Sequence, residues 1–197
     1  MLCVMPRPWL AKRAATYEDL ANVPDHLVAE IIEGELYASP RPSVAHTLAG
    51  SALGIGLGGP FHDGRGGPGG WWILDEPELH LGRDVIVPDL AGWRRSRLPH
   101  LPDAAAMTIA PDWVCEILSP STEALDRVAK LPVYAREGVT HVWFVNPRVQ
   151  TLEVLRLEQR TWIVVATYDG DTSVHAEPFE AVPLDLYRLW GRSAPSP

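Results

Sequence analysis

The stretch Trp113-Val114-Cys115-Glu116-Ile117-Leu118 is a short, nearly continuous apolar run with a single charged residue inside it. Such a run is typical of a β-strand that is buried on both faces of a sheet. Residues 119–122, Ser-Pro-Ser-Thr, favour a helix start, and residues 123–138 continue with helical periodicity, a break at Pro132 and a terminal glycine. Residues 139–145 form a second apolar run. The order strand, helix, strand predicts one crossover and an α/β fold.

The remaining sequence adds hairpins and helices to this unit. We predict the following elements: a helix at 17–21, a strand–turn–strand at 30–38, a Ser43-capped helix at 44–57, strands at 71–81 and 85–93, a hairpin at 152–167 and a helix at 184–190. Residues 54–70 are more than half glycine and are expected to form a flexible loop. This loop is not a phosphate-binding P-loop, because no Gly-Lys-Ser/Thr follows it. The predicted fold is a mixed central sheet flanked by helices.

Length and composition indicate one domain. The chain has 197 residues, of which 46% are hydrophobic and 21% charged, so it can bury a core. We expect a flexible leader at 1–15, a single domain at 16–191 and a disordered tail at 192–197. Two distant cysteines give no disulfide framework, and no apolar run reaches the roughly 18 residues of a membrane span. These features favour a soluble, cytoplasmic protein.

The net charge of −8 argues against extensive contact with nucleic acid, which usually needs a basic face. A local cluster of Arg94, Arg95 and Arg97 is the exception. It either touches phosphate or belongs to a solvated loop, and the second interpretation is the more common one. A nuclease that works through metal-binding carboxylates is still compatible with an acidic chain.

Two carboxylates stand in otherwise apolar strands, at Val87-Pro88-Asp89 and at Glu116. Proline is poorly tolerated inside a central strand, so Pro88 indicates an edge or a bulge that redirects Asp89. A lone buried charge costs several kcal/mol unless it is paired or bound to metal. Two carboxylates on neighbouring strands repel each other unless a cation lies between them. This pattern favours a hard ion, Mg²⁺ or Mn²⁺, bound by Asp89 and Glu116.

Lysine is rare in this chain, which contains only Lys12 and Lys130. Lys130 lies on the helix after the Glu116 strand, where its ammonium would orient the attacking water and offset the charge of a reacting phosphate. The alternative is that Lys130 pairs with Asp126, four residues earlier, on an exposed helix face. Spacing alone leaves both interpretations open.

The motifs together resemble a restriction-endonuclease-like family of unknown function within the PD-(D/E)XK nuclease superfamily. The resemblance covers about residues 17–190. It rests on the following positions: Glu30-Ile-Ile-Glu-Gly-Glu35, Ser43 to His46, Pro88-Asp89, Glu116, Ser119-Pro120-Ser121-Thr122, Asp126, Lys130, Tyr134, Gly138-Val139, Trp143 and Val145-Asn146-Pro147. The combination is specific, whereas Pro-Asp alone is not.

The resemblance implies a core sheet with flanking helices, a divalent metal at Asp89 and Glu116, and a homodimer. The set of Asp89, Glu116 and Lys130 favours a metal-dependent endonuclease that acts on DNA. The usual superfamily lysine lies two residues after the glutamate, where this chain has Leu118. The resemblance therefore makes Lys130 the displaced catalytic lysine. Glu35 resembles an early acidic residue near the metal, although an exposed turn residue is an equal alternative. His46 is a supporting candidate, as a donor near the metal or as a phosphate contact; a capping or packed histidine is the more common alternative.

Other polar residues have simpler explanations. Glu78 and His80 point to one face of a hairpin; they could hold a metal, although alternating polar residues on a half-exposed hairpin are more common. Trp71 and Trp72, beside the glycine-rich segment, are the only plausible base-stacking tryptophans. Two other functions stay open: a catalytically inactive nuclease-like fold that acts as a binding or assembly module, and a carboxylate-pair glycosidase, which would not need Lys130.

Overall fold

The computed structural model describes residues 13–194, so most of the expected leader and the last three residues of the expected tail lie outside the described part. The strands are β1 (Leu27–Ile32), β2 (Glu35–Pro40), β3 (Trp71–Asp75), β4 (Leu79–Leu81), β5 (Asp84–Ile86), β6 (Leu90–Arg94), β7 (Trp113–Ile117), β8 (His141–Asn146), β9 (Thr151–Glu158), β10 (Thr161–Asp169), β11 (Ser173–Val174) and β12 (Leu184–Asp185). The helices are α1 (Tyr17–Ala21), α2 (Val44–Leu57), α3 (Leu131–Arg136) and α4 (Leu186–Leu189), with π-helical turns π1 (Gly58–His62) and π2 (Leu125–Lys130).

A six-stranded mixed sheet in the order β10-β9-β8-β7-β6-β3 forms the centre. β7 and β8 are parallel and all other neighbours are antiparallel. The connection between β7 and β8 runs through π2 and α3, as the sequence predicts. The mixed sheet with flanking helices is therefore confirmed.

Alternation along β7 directs its side chains to two different layers. Trp113 and Cys115 pack with α2, while Val114 packs with Val133 and Tyr134 of α3 and its neighbours. Glu116 shares the face of Val114, so its carboxylate is directed toward π2 and α3. Cys115 is fully buried, as expected for a small hydrophobic residue.

A second sheet, in the order β2-β1-β5-β4, lies against the central one. The prediction of two long strands at 71–81 and 85–93 is wrong, because each run divides between the two sheets. The breaks fall at Pro77 and Pro88, which lack the N–H that a strand ladder requires. Asp89 consequently lies at the passage between the sheets, directly before β6, and not inside a strand.

The glycine-rich segment also differs from the expected loop. π1 extends α2 to His62, and the chain then folds back on π1 through two backbone hydrogen bonds, Arg65 N–H to Gly59 O and Gly69 N–H to Pro60 O, each 2.8 Å. An added Cβ at Gly67 would lie 2.5 Å from Cβ of Pro60. Glycine permits this close approach, so the segment is a packed element of the fold.

Candidate active site

Asp89 is fixed by two hydrogen bonds at the junction of the sheets. Its Oδ2 accepts the backbone N–H of Ile117 at 2.6 Å, and its Oδ1 lies 2.6 Å from Nε2 of His46. The first bond links Asp89 to β7, the strand that carries Glu116. The second links it to the first turn of α2, whose N-cap is Ser43.

Glu116 is 2% exposed, and both of its carboxylate oxygens have donors. Oε1 accepts a hydrogen bond of 2.5 Å from the Tyr134 hydroxyl, and Oε2 lies 3.4 Å from Nζ of Lys130. Burial raises the pKa of Glu116 well above its ordinary value; Lys130 opposes this shift, whereas nearby carboxylates such as Asp126 add to it. The protein thus holds a carboxylate where ionisation needs a positive partner.

Lys130 is the centre of a buried charge cluster. Its Nζ lies 3.0 Å from Glu30, 3.1 Å from Asp126 and 3.4 Å from Glu116. Burial lowers the pKa of Lys130, but the three carboxylates outweigh burial and raise it well above its ordinary value. The residue is 4% exposed, so pairing on an exposed helix face is wrong, although the pair with Asp126 does form.

Glu30, which the sequence analysis did not select, completes this cluster. It lies on β1, is 4% exposed, and accepts the Val87 N–H at 2.8 Å in addition to contacting Lys130. Burial raises its pKa despite the opposing charge of Lys130. The signal was present in the sequence: Glu30 alternates with Val28 and Ile32, which places it on the apolar face of the strand.

These groups line a cavity of about 320 Å³ between the two sheets and the start of α2. Five carboxylates face it, namely Glu30, Glu76, Asp89, Glu116 and Asp126. The positively charged or protonatable side chains of its lining are Lys130, Arg41 and His46. With all five carboxylates ionised and His46 protonated, these side chains would carry a formal net charge of −2.

His46 contributes an unusual imidazole to this cavity. Burial lowers its pKa, but the hydrogen bond and charge of Asp89, together with the charges of Asp126 and Glu76, outweigh burial and raise it. Nδ1 of His46 is buried and has no hydrogen-bond partner. Buried polar atoms normally have one, so this nitrogen is the one polar group of His46 left to interact with a bound molecule or water.

The donor set has the chemistry of a site for a hard divalent ion, because its oxygen ligands carry excess negative charge. The arrangement is nevertheless not a preformed cage: within residues 13–194 no three His, Cys, Asp or Glu side chains are arranged to hold a metal ion. The reason is that Glu30, Glu116 and Asp126 converge on an ammonium group. Each carboxylate oxygen keeps a further lone pair, so Asp89 and Glu116 can coordinate a metal ion without losing their present hydrogen-bond donors.

Comparisons with known proteins agree with this architecture. The family model of Uma2, described as "Putative restriction endonuclease", matches residues 14–186. The chain belongs to the Uma2 family. A crystal structure of a "putative nuclease belonging to DUF820" from Anabaena variabilis ATCC 29413 has a TM-score of 0.70 and 24% identity, over 90% of this chain and 98% of that chain. At this identity the likeness shows the fold alone. A search among curated proteins found no significant match.

Several candidates lie outside the cavity of this Uma2 member. Glu35 is exposed at the start of β2, where its carboxylate accepts a hydrogen bond from the Tyr37 hydroxyl at 2.9 Å. The cavity lining contains Glu30 and not Glu35. Glu78, directly before β4, pairs with His80 of β4 at 2.7 Å, and neither residue belongs to the cavity lining. Leu118, at the usual lysine position of the superfamily, is buried in the apolar cluster around Tyr134.

The arginine cluster is engaged in the fold of this Uma2 member. Arg94 and Arg95 stack on Trp71 and Trp72 at 4.5 and 3.8 Å from the ring centroids, and Arg97 pairs with an aspartate at 3.0 Å. Strand pairing places Trp71 opposite Arg94, at the end of β6 remote from Asp89. The cluster therefore does not border the cavity. None of the described helices is long and apolar enough to cross a membrane.

Proposed function

We propose that this protein is a metal-dependent endonuclease that hydrolyses phosphodiester bonds in DNA. One observation carries the proposal: Asp89, Glu116 and Lys130, from three separate segments of the chain, face a single cavity with an excess of carboxylate charge. Membership of a family described as "Putative restriction endonuclease" supports the reaction class. The metal, the DNA substrate and the residue roles are part of the proposal.

In this proposal Asp89 and Glu116 hold Mg²⁺ or Mn²⁺. When bound, such an ion supplies Lewis-acid chemistry and lowers the pKa of water at the site. Ile117 N–H and His46 fix the orientation of Asp89, while Tyr134 and Lys130 fix that of Glu116. Lys130 thereby acts through Glu116, as a positioning residue that also lowers the local negative charge before a phosphate arrives.

The test is nicking of supercoiled plasmid DNA with Mg²⁺ and with Mn²⁺, with chelator as a blank. We expect divalent-ion-dependent nicking that is abolished in Asp89→Asn and Glu116→Gln and strongly reduced in Lys130→Met. Asp63→Asn, which alters an exposed carboxylate that pairs with Arg65, should retain activity. Absence of nicking by the wild-type protein on any nucleic acid would contradict the proposal.

A second candidate is a catalytically inactive module that uses the nuclease-like fold for binding or assembly. It is favoured by the protein donors that each oxygen of Glu116 and Asp89 already has, and by Leu118 at the usual lysine position. Isothermal calorimetry with millimolar Mg²⁺ and Mn²⁺ separates the two functions, since the module predicts no metal binding. We also propose a homodimer, which light scattering of the purified protein would test.

A further inference from the structure

The ammonium of Lys130 has no donor to spare for a substrate. A lysine ammonium carries three N–H groups, and Lys130 faces three carboxylates at 3.0, 3.1 and 3.4 Å. Because Lys130 is also buried, an incoming phosphate would have to break one of these ion pairs to reach it. Anion binding at this cavity therefore needs another cationic group.

Arg41 is the remaining permanently charged cation of the cavity lining within the described residues. Its side chain is exposed, and one guanidinium nitrogen donates to the Asp25 carbonyl at 2.6 Å. A guanidinium has five N–H donors, so most of them stay available. Their planar arrangement matches two oxygens of a phosphate.

The backbone around Arg41 is restricted on both sides. Pro40 ends β2, Pro42 follows Arg41, and Ser43 caps α2. Proline fixes its own φ and restricts the residue before it, so the Pro-Arg-Pro sequence limits where the Arg41 side chain can go. The main chain at Arg41 is therefore restricted before binding, so its ordering adds little to the entropic cost of holding a phosphate.

Hydroxyl groups also belong to the same lining. Ser119 Oγ lies 2.9 Å from Ser121 Oγ and 2.9 Å from Thr122 Oγ1, and all three residues line the cavity. Hydroxyls can both donate and accept, and they commonly contact phosphate oxygens in nucleic-acid complexes. These hydroxyls are thus suited to a phosphate, whereas the buried carboxylates of the cavity are not.

We propose that Arg41 is the substrate-binding residue that holds a backbone phosphate of the nucleic acid at this cavity, whose lining also contains the Ser119, Ser121 and Thr122 hydroxyls. The inference rests on the proposed function and extends it to a single dominant phosphate contact. Since the arginines at 94, 95 and 97 lie elsewhere, binding has a shallow salt dependence. One phosphate contact contributes a slope of about 0.9 to the dependence of log affinity on log salt.

The experiment compares Arg41→Gln and Arg41→Lys with wild type in Michaelis–Menten cleavage and in anisotropy binding of a fluorescein-labelled DNA oligonucleotide at several salt concentrations. Arg160→Gln is the matched control, because Arg160 is an exposed arginine in the β9–β10 turn, outside the cavity lining. Arg41→Gln should raise KM and Kd by about 10- to 100-fold, as expected for loss of a charge-assisted hydrogen bond, and lower the salt slope by about one. Arg41→Lys should restore the salt slope but only part of the affinity, because it retains the charge and loses the planar fork.

Failure of this inference and failure of the proposed function give different results. Equal KM, Kd and salt slope in Arg41→Gln and Arg160→Gln, with cleavage intact, overturn the role of Arg41 alone. If the wild-type protein binds the oligonucleotide without cleaving it, a loss of binding in Arg41→Gln supports Arg41 and contradicts the endonuclease. If the wild-type protein does not bind the oligonucleotide at any salt concentration, the role of Arg41 is wrong.

Discussion

The Tyr134 hydroxyl donates a 2.5 Å hydrogen bond to Oε1 of Glu116, and both side chains are buried where α3 packs on the central sheet. The bond joins the crossover helix to the strand that carries the candidate metal-binding glutamate. Because Glu116 has little contact with water, this hydroxyl replaces a solvent donor. The pair therefore serves stability and site geometry together.

Tyr134→Phe should lower the free energy of unfolding by about 1.5–3 kcal/mol, the range for a hydrogen bond to a charged group. Tyr37→Phe is the matched control: its hydroxyl donates to Glu35, an exposed carboxylate that water can solvate. This control should change stability by less than about 0.5 kcal/mol. Urea unfolding followed by tryptophan fluorescence measures both, and equal effects would contradict the importance of burial.

Lys130→Met should be strongly destabilising near neutral pH, by about 3–5 kcal/mol, because three buried carboxylates lose their shared cation. The pKa values of Glu30, Glu116 and Asp126 are raised in the folded protein, mainly by burial. A raised carboxyl pKa makes the folded state bind more protons, so stability falls as pH rises above the unfolded values near 4 and through the folded ones.

The loss caused by Lys130→Met should therefore shrink as the pH is lowered toward 4, since protonated carboxyls no longer need the ammonium. Urea unfolding of wild type and variant across this pH range measures the difference. A difference that is constant with pH would show that Lys130 contributes through packing alone.

Asp89→Asn should weaken Mn²⁺ binding by at least about tenfold, because it replaces an anionic oxygen ligand with a neutral amide. Calorimetric titration with Mn²⁺ measures this effect without any nuclease activity. Asp63→Asn removes one negative charge from an exposed site and should bind Mn²⁺ as wild type does. Unchanged affinity in Asp89→Asn would remove this residue from the metal site.

Gly67→Ala should destabilise the protein by about 1–3 kcal/mol, the usual cost of forcing atoms into a packed space. The new Cβ would meet Cβ and the carbonyl oxygen of Pro60 at 2.5 and 2.7 Å, so backbone would have to move. Gly58→Ala is the control, since it meets nothing within 4 Å and has an α-helical φ of −60°. Thermal unfolding should show a loss for the first variant and none for the second.

The crossover unit was predictable because its signals are local. The apolar run of β7 and the proline in the first turn of α3 follow from the composition of consecutive residues, and these elements determine where Glu116 and Lys130 lie. The division of 71–81 and 85–93 between two sheets was less accessible, because period-two alternation is the same in either sheet. The two prolines at 77 and 88 were the only local sign of it.

Within the candidate site, Asp89, Glu116 and Lys130 follow from charges in apolar surroundings and from the family resemblance. Glu30 was missed because Glu33 and Glu35 nearby made its charge look like part of a solvated hairpin. Its burial depends on the second sheet, to which it belongs, packing against the segment that carries Lys130, which is a tertiary effect. Arg41 was missed for a similar reason: only the folded structure shows that the Pro-Arg-Pro segment borders the cavity.

The Lys130 ammonium gives the cluster a covalently attached counter-ion. A newly made chain can consequently collapse around Glu30, Glu116 and Asp126 before it meets any divalent ion, unlike small metalloproteins in which apo chains stay unfolded. If the proposed metal-dependent activity holds, folding and activation are separate events, and a chelator that abolishes the activity should leave the melting temperature nearly unchanged.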